Sequence, residues 1–109
     1  MPFYHPDKRS SKEIIPGEIA MKTFWGDHIM LAVVELNAEA VLPLHSHPHE
    51  QAGMVLEGEL EFDINGEVQL LHPGDLYIIP GNTPHLVRVG KEKAKVLDIF
   101  HPIRQEYQY

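Results

Sequence analysis

LPLHSHPHEQAGMVLEGE (residues 42–59) places three histidines within five positions and follows them with an acid, an amide and two glycines. Successive side chains of a strand alternate between its two faces, so we expect His45 and His47 to point the same way. Two imidazoles at positions i and i+2 can bind one metal ion through nitrogen. An H-x-H pair is a weak signal by itself, because a histidine on a strand is more often a surface residue. Residues farther along the chain are needed to distinguish a metal site from a polar loop.

A second segment, GDLYIIPGNTPH (residues 74–85), supplies that context, because it holds an apolar strand between two turns and ends on a histidine. The two spacings are His45-x-His47-x₃-Gln51-x₆-Gly58 and Gly74-x₅-Pro80-x₄-His85. Together they resemble the two signature motifs of the cupin superfamily in order, spacing and residue type. One departure is Asn82, which stands where the second motif usually has glycine. Asparagine tolerates left-handed backbone geometry, so the turn is expected to survive.

The resemblance implies a metal site with four ligands, which are His45, His47, Gln51 and His85. Three imidazoles and one oxygen suit a divalent transition metal, and Zn, Ni, Mn, Fe and Cu all remain open. Gln51 replaces the commoner glutamate, so the bound ion keeps both of its positive charges and attracts an anionic substrate. The alternative for Gln51 is a hydrogen bond near the metal without coordination.

His49 and Glu50 lie in the same stretch and are the other candidates for this site. Pro48 interrupts the strand ladder, so the alternation that aligns His45 and His47 need not extend to them. We expect both residues in a solvated turn. Glu50 becomes a ligand only if that turn is tighter than expected.

The C-terminal stretch KVLDIFHPIRQEYQY contains a carboxylate, Asp98, inside an apolar strand. Burial of a carboxylate is unfavourable unless it is paired or used. Alternation places Asp98 and Phe100 on one face, and Arg104 follows just beyond, where it could bind a carboxylate with two hydrogen bonds. The pattern Asp-x-Phe-x₃-Arg after a cupin core is similar to that of the KdgF-type pectin-degradation cupins.

This second resemblance implies a catalytic role for Asp98, Phe100 and Arg104 in converting ring-form 4,5-unsaturated uronates, released from pectin or alginate, into linear keto sugars. Asp98 would transfer a proton, Phe100 would pack on the sugar face, and Arg104 would pair with the substrate carboxylate. The structural alternative is a buried ion pair between Asp98 and Arg104 that closes the barrel, with Phe100 in the core.

Short runs with strand character recur along the chain, whereas no long segment has helical periodicity. The predicted strands are 19–25, 29–36, 40–47, 53–57, 59–64, 67–71, 76–79, 85–89 and 95–100. Asn65-Gly66 favours a type I′ hairpin turn within the alternating segment ELEFDINGEVQL. We therefore predict an all-β fold, a double-stranded β-helix or jelly-roll cupin barrel over residues 16–109. Residues 1–15 are expected to be an N-terminal arm, either loose or an exchanged edge strand.

Composition limits the classes of function. The 109 residues carry a formal charge of −7 with no basic cluster, which argues against a nucleic-acid partner. There is no cysteine, so disulfides and thiolate ligands are excluded. No signal peptide or membrane span is recognisable, and we expect a cytoplasmic protein without a membrane partner. Small size and apolar strand faces favour a homodimer. The expected ligand is a small anionic substrate, as the charge of the metal site suggests.

Other functions remain open, because one fold hosts many chemistries. The site also suits a metal-dependent oxygenase or sugar isomerase, or a non-catalytic module that binds or senses a small molecule. A storage or scaffold role needs no converging ligand set and is disfavoured. The remaining histidines are expected at the surface or next to the ligands: His5, His28, His72 and His101. Several large side chains are assigned to the core, although they could also line the pocket: Phe24, Trp25, Met30, Met54, Phe62 and Tyr77.

Overall fold

The computed structural model describes residues 2–109, which form ten strands joined by short connections. The strands are β1 (Lys12–Ile15), β2 (Ile19–Trp25), β3 (Met30–Leu36), β4 (Val41–His45), β5 (Glu50–Glu57), β6 (Leu60–Ile64), β7 (Glu67–Leu71), β8 (Leu76–Ile79), β9 (His85–Val89) and β10 (Ala94–His101). Two single turns of 3-10 helix, Pro6–Lys8 and Gln105–Tyr107, precede the first strand and follow the last.

The strands form two antiparallel sheets that pack against each other. The larger sheet has the order β1-β2-β3-β10-β5-β8, and the smaller has the order β4-β9-β6-β7. Phe62 of the smaller sheet contacts Tyr77 of the larger one, with 4.3 Å between ring centroids. Neighbours in each sheet are mostly distant in sequence, as the pairing of β10 with both β3 and β5 illustrates. This arrangement confirms the predicted all-β jelly roll.

The core fills the space between the sheets with alternate residues of each strand. In β10, for example, Val96, Asp98 and Phe100 are buried, whereas Leu97 and Ile99 between them are partly exposed. Full burial of a side chain such as Met30 or Ile79 stabilises the fold by roughly 1.5–3 kcal/mol. Asp98 lies on the same inward face of β10 as these apolar residues, as the alternation predicted.

Two predicted strand boundaries were wrong, and both lie at the candidate site. The strand expected over 40–47 ends at His45, and the strand expected to begin at 53 begins at Glu50. Pro48 explains the first difference, because it lies with His49 in a bend outside the sheet and cannot donate to the strand ladder. Pairing with β8 and β10 explains the second, since Gln51 lies opposite Ile79 and Phe100.

The N-terminal segment contains a strand of its own. β1 pairs with β2 of the same chain, with Lys12 opposite Met21 and Ile15 opposite Ile19. The boundary expected between arm and barrel, after residue 15, falls at the end of this strand. β1 is thus an edge strand of the larger sheet.

Two turns have the backbone conformation that their residues favour. Asn65 and Gly66 both have positive φ, at 52° and 88°, as the type I′ turn between β6 and β7 requires. Asn82 has a φ of 62°. The left-handed position of the second motif is therefore kept although asparagine replaces glycine.

The outer face of the larger sheet is apolar. Leu76 and Ile78 of β8 are each 67% exposed, and Met54 of β5 is 38% exposed. The core assignment of Met54 was therefore wrong, because the alternation that turns Val55 inward turns Met54 outward. Phe24 also faces outward and packs on Tyr4, with 5.1 Å between ring centroids.

Within residues 2–109, no helix has the length and apolar character needed to cross a membrane.

Candidate metal centre

Three histidines meet beside the cavity between the sheets. His45 is the last residue of β4 and His85 the first of β9, and the two lie opposite each other in the smaller sheet. His47 follows two residues after β4, with its ring centroid 5.0 Å from that of His85. The nitrogens that each side chain can offer as ligands all lie within 4.8 Å of one another. The three predicted imidazoles are thus brought together.

His47 reaches this cluster by a different route from the one predicted. It lies beyond the end of β4, so strand alternation does not orient it. Instead, its carbonyl oxygen accepts a hydrogen bond of 2.7 Å from the Asn82 amide. Gly81 lies against the same loop, because a Cβ there would come within 2.5 Å of the Pro48 carbonyl oxygen. The turn of the second motif therefore holds the loop of the first.

Hydrogen bonds fix the orientation of all three imidazole rings. The Nδ1 atoms of His45, His47 and His85 lie 2.7, 3.0 and 2.7 Å from the carbonyl oxygens of Pro43, His49 and Thr83. Because a carbonyl oxygen only accepts, each Nδ1 carries the proton and each Nε2 keeps a lone pair in the neutral ring. The Nε2 of His85 is buried without a hydrogen-bond partner. Three such lone pairs facing one another fit a metal cation, which would satisfy them together.

The protonation state agrees with this arrangement. Burial lowers the pKa of His47 to about 4, and the positive charge of Arg104 acts in the same direction. Burial also lowers the pKa of His85, against the opposing effect of the hydrogen bond to Thr83. Both imidazoles are therefore neutral at pH 7, which is the form that binds metals.

Gln51 adds an oxygen to the three nitrogens. It is the second residue of β5 and is buried, and its Oε1 lies 3.2 Å from the Nε2 of His47. Since that nitrogen carries no proton, the two atoms are both acceptors and a shared cation would relieve their repulsion. Three imidazole nitrogens and an amide oxygen thus fit a divalent transition metal.

His49 and Glu50 stand apart from this group. Glu50 begins β5 instead of lying in the turn, and its side chain is exposed. The ring of His49 is half buried, with its centroid 5.7 Å from that of His47. Among the described His, Asp and Glu side chains, the cluster contains His45, His47 and His85 and neither of these two residues.

Asp98 is buried next to the cluster and is bound by Tyr77. The Tyr77 hydroxyl donates a short hydrogen bond to Oδ1 of Asp98. Burial raises the pKa of Asp98 to about 6, although hydrogen bonds from Tyr77 and Gln51 and the charge of Arg104 each oppose the rise. Burial and the adjacent carboxylate raise the pKa of Tyr77, so its hydroxyl keeps its proton.

Arg104 is buried between two aromatic rings instead of paired with Asp98. Its guanidinium carbon lies 4.0 Å from the ring centroid of Tyr107 and 5.1 Å from that of Phe100. Its carboxylate partner is Glu106, with 3.4 Å between Nη2 and Oε2, and its buried Nε has no partner. The ion pair considered as a structural alternative, Asp98 with Arg104, is not among the salt bridges of residues 2–109.

Phe100 links these residues to the imidazoles. It is 2% exposed, and its ring centroid lies 6.0 Å from that of His47. A cavity of about 50 Å³ between the sheets is lined by Gln51, Asp98 and Phe100 together with His45 and His85. Three of the predicted metal ligands and two of the predicted catalytic residues therefore border one space, whereas His47 and Arg104 are not part of its lining.

Tyr77 was assigned to the core from the sequence, whereas in the structure it also lines this cavity and binds Asp98. Its role depends on Gly53, which lies between the two residues on the intervening strand. No signal in the sequence predicts this contact. The core assignments of Met30 and Phe62 were right, and Trp25 is half buried.

The remaining histidines all have exposed side chains: His5, His28, His72 and His101. This confirms that they belong to the surface. His72 lies 3.5 Å from Glu59 and 3.9 Å from Asp75, both of which are also exposed. Such contacts contribute little to stability.

Comparisons with known proteins agree with this geometry. The sequence profile of the family described as "Cupin domain" matches residues 32–100. The chain is 32% identical, over 84 residues, to the pectin degradation protein KdgF of Dickeya dadantii, and the match covers 76% of each chain. The structure of KdgF from a Halomonas species superposes with a TM-score of 0.90 at 29% identity and covers 97% of both chains.

A third relative has a different activity. Quercetin 2,3-dioxygenase of Bacillus subtilis is 33% identical over 73 residues, which are 66% of this chain and 22% of that protein. The match thus covers one part of a longer protein. The dioxygenase match supports the fold. The two KdgF proteins differ from it in being about as long as this chain, because the match covers the same share of each KdgF protein as of this chain.

Proposed function

The chain belongs to the cupin family, and from that premise we propose that it is a metal-dependent enzyme that converts a 4,5-unsaturated uronate from its ring form to a linear keto sugar. The observation that carries the proposal is the convergence of three unprotonated imidazole nitrogens close to a buried guanidinium. The similarity to KdgF proteins, one of which is named for pectin degradation, supports the substrate class.

The metal would be held by His45, His47, His85 and the carbonyl oxygen of Gln51. A bound divalent ion supplies Lewis acidity, because it polarises an oxygen that contacts it. None of these four side chains is charged when the imidazoles are neutral, so the ion keeps its full positive charge. The site is therefore suited to an anionic ligand.

Arg104 would recognise the carboxylate of the substrate. Stacking on Tyr107 and Phe100 holds its guanidinium plane in place, which favours binding of a carboxylate by two parallel hydrogen bonds. Its one carboxylate contact, to Glu106, is long, and Glu106 is largely exposed. An incoming carboxylate can thus bind Arg104 without breaking a strong buried ion pair.

Asp98 and Phe100 would act on the sugar ring. Opening an unsaturated uronate ring requires proton transfer at a vinyl ether, and Asp98 is the carboxyl group that lines the cavity. Phe100 presents an apolar surface in the same cavity, on which the sugar ring can pack. Both residues face the space beside the imidazoles.

The test combines metal analysis with an activity assay. Metal content is measured on the purified protein, which is then incubated with unsaturated galacturonate while the absorbance of the conjugated double bond is followed. We expect bound metal and an accelerated loss of absorbance. Asp98→Asn should lower turnover by about 100-fold or more, since general acid–base catalysis contributes about 10²–10⁴-fold. The exposed Asp27→Asn is the matched control.

Two results would contradict the proposal in different ways. Undiminished turnover by Asp98→Asn would exclude the proton-transfer role. Bound metal without accelerated loss of absorbance would instead favour a non-catalytic binding module, in which Asp98 is dispensable.

The match to a dioxygenase supports an oxygenase as a second candidate. That function predicts oxygen consumption by the iron-loaded protein, which an oxygen electrode measures.

We also propose that two copies of the chain associate through the outer face of the larger sheet. Two apolar rows cross this face, as the strand register shows: Leu76, Met54, Leu97 and Val33 in one, and Ile78, Ala52, Ile99, Leu31 and Phe24 in the other. Because each chain has a formal charge of −7, two copies repel each other. This repulsion opposes association least where the contacting surface has no charged side chains. The uncharged rows therefore fit a second copy of the same chain.

A further inference from the structure

Tyr77, Gly53 and Asp98 lie side by side on β8, β5 and β10, because Gly53 is opposite Tyr77 on one side and Asp98 on the other. A Cβ on Gly53 would lie 2.2 Å from Cζ of Tyr77. The tyrosine ring therefore lies over the backbone of Gly53 and reaches Asp98. The absence of a side chain at residue 53 is what permits the bond between the hydroxyl and the carboxylate.

Gln51 lies two residues before Gly53 on the same face of β5, and it lines one cavity together with Asp98. Its Oε1 lies 3.2 Å from the Nε2 of His47, and its side chain opposes the rise in the pKa of Asp98 as a hydrogen-bond donor does. The two ends of its amide have nearly the same shape but opposite hydrogen-bonding character, so their neighbours decide the orientation. A carboxylate only accepts, hence the NH₂ group of Gln51 is the end that faces Asp98. Its carbonyl oxygen is then directed to the Nε2 of His47, 3.2 Å away.

The opposite orientation of this amide would close the metal site. If the Gln51 amide turned over, its NH₂ group would donate to the lone pair of His47, and each would satisfy the other without a metal. One imidazole and the oxygen ligand would be lost together. Asp98 opposes this state because the turned amide would place a carbonyl oxygen against its carboxylate.

We propose that Tyr77 and Asp98 are positioning residues for the metal site: the Tyr77 hydroxyl fixes the Asp98 carboxylate, which in turn holds the Gln51 amide with its oxygen toward the three imidazoles. The inference rests on the metal site in the proposed function. It adds a role for Asp98 that is separate from proton transfer, and it gives Tyr77 a role in metal binding although it does not contact the metal.

The test measures cobalt(II) affinity and the visible absorption spectrum of the cobalt protein. Loss of a residue that orients a metal ligand lowers affinity by about 10–100-fold. We expect that loss for Asp98→Leu, with a spectrum like that of Gln51→Ala, and a smaller loss for Tyr77→Phe. Asp98→Asn should restore both affinity and spectrum, because its carbonyl oxygen can accept from Gln51 while its NH₂ group donates to Tyr77.

The same variants separate this inference from the proposed function. Wild-type affinity and spectrum in Asp98→Leu and Tyr77→Phe would overturn the positioning role, and so would a failure of Asp98→Asn to bind cobalt better than Asp98→Leu. A wild-type protein that binds no cobalt would overturn both proposals. A protein that binds cobalt with the expected pattern but leaves unsaturated uronate unchanged would overturn only the proposed reaction. Circular dichroism on each variant checks that it is folded.

Discussion

Gly53→Ala is the smallest change that tests how the buried tyrosine is placed. The added methyl carbon would lie 2.2, 2.3 and 2.5 Å from Cζ, Oη and Cε2 of Tyr77. Non-bonded carbon atoms prefer separations of about 3.5–4.0 Å, so the ring must move by about 1 Å or more. Tyr77 is only 7% exposed, and Phe62 packs on its ring with 4.3 Å between the ring centroids. Movement of the ring therefore breaks the bond to Asp98.

The expected loss of stability follows from three contributions. Overpacking of a core destabilises by about 1–3 kcal/mol. Loss of a hydrogen bond to a charged group adds about 1.5–3 kcal/mol. Replacing glycine by alanine offsets about 0.4–1 kcal/mol through the unfolded chain. We expect Gly53→Ala to lower the free energy of unfolding by about 2–5 kcal/mol, which for a domain of this size lowers Tm by about 10 °C or more.

The assay is thermal and urea unfolding followed by circular dichroism. Gly26→Ala is the matched control, because a Cβ at that glycine meets no atom within 4 Å and its φ is not in the left-handed region. It should melt within a few degrees of the wild type. In a Tyr77→Ala background, Gly53→Ala should have little effect, since the two changes are coupled through one contact. If Gly53→Ala melts like Gly26→Ala, the close approach of the ring is refuted.

Three further predictions use other parts of the molecule. We expect light scattering to show a dimer, of twice 12.4 kDa, for the wild type and a monomer of 12.4 kDa for Ile78→Asp. Val68→Asp is the control, because Val68 is also exposed but lies on the smaller sheet, and this variant should remain a dimer. A single mass for all three proteins would contradict the interface. The stability that His47 contributes to the metal-free protein, measured as the difference between the wild type and His47→Asn, should fall as pH drops from about 6.5 toward 4, because His47, with its pKa lowered to about 4, binds fewer protons in the folded state than in the unfolded chain. The difference is measured because Asp98, with its pKa raised to about 6, takes up a proton on folding in the same window and opposes the trend in both proteins. A difference in urea midpoint that stays constant between pH 7 and 4 would contradict this. Arg104→Lys should raise KM for an unsaturated uronate more than it lowers kcat, because lysine keeps the charge but loses the planar, stacked donor pair; steady-state kinetics with unchanged KM would exclude the carboxylate contact.

The parts of the site that sequence predicted depend on residue chemistry and local spacing. His45, His47, Gln51 and His85 were predicted because two separate segments resemble the two cupin signature motifs in order, spacing and residue type. The left-handed turn at Asn82 was anticipated for a similar reason, since its φ is a local property of the chain. Each motif and the turn can be recognised within one short segment, although the metal site was predicted only from the two motifs together.

The parts that sequence did not predict depend on contacts between distant residues. Pro48 ends the expected strand over 40–47 early, and His47 beyond it is held by the backbone amide of Asn82, which is 35 residues later in the chain. The contact of Tyr77 with Asp98 depends on the register of two strand pairs, and a shift of one residue would turn Gly53 to the other face. Alternation placed Asp98 inside, but only the register identifies its partner.

The structure also gives a reason for glutamine at residue 51 that differs from the charge argument made from the sequence. Asp98 is a buried carboxylate that lines the same cavity as that side chain, and the Gln51 side chain opposes the rise in its pKa. Glutamate there would place two carboxylates against each other, which favours protonation of one of them. An amide avoids this conflict, because it donates to Asp98 at one end and presents an acceptor to the imidazoles at the other. The neutral ligand and the buried carboxylate are thus two parts of one arrangement: Asp98 can stay ionised beside the metal site because residue 51 is a donor toward it.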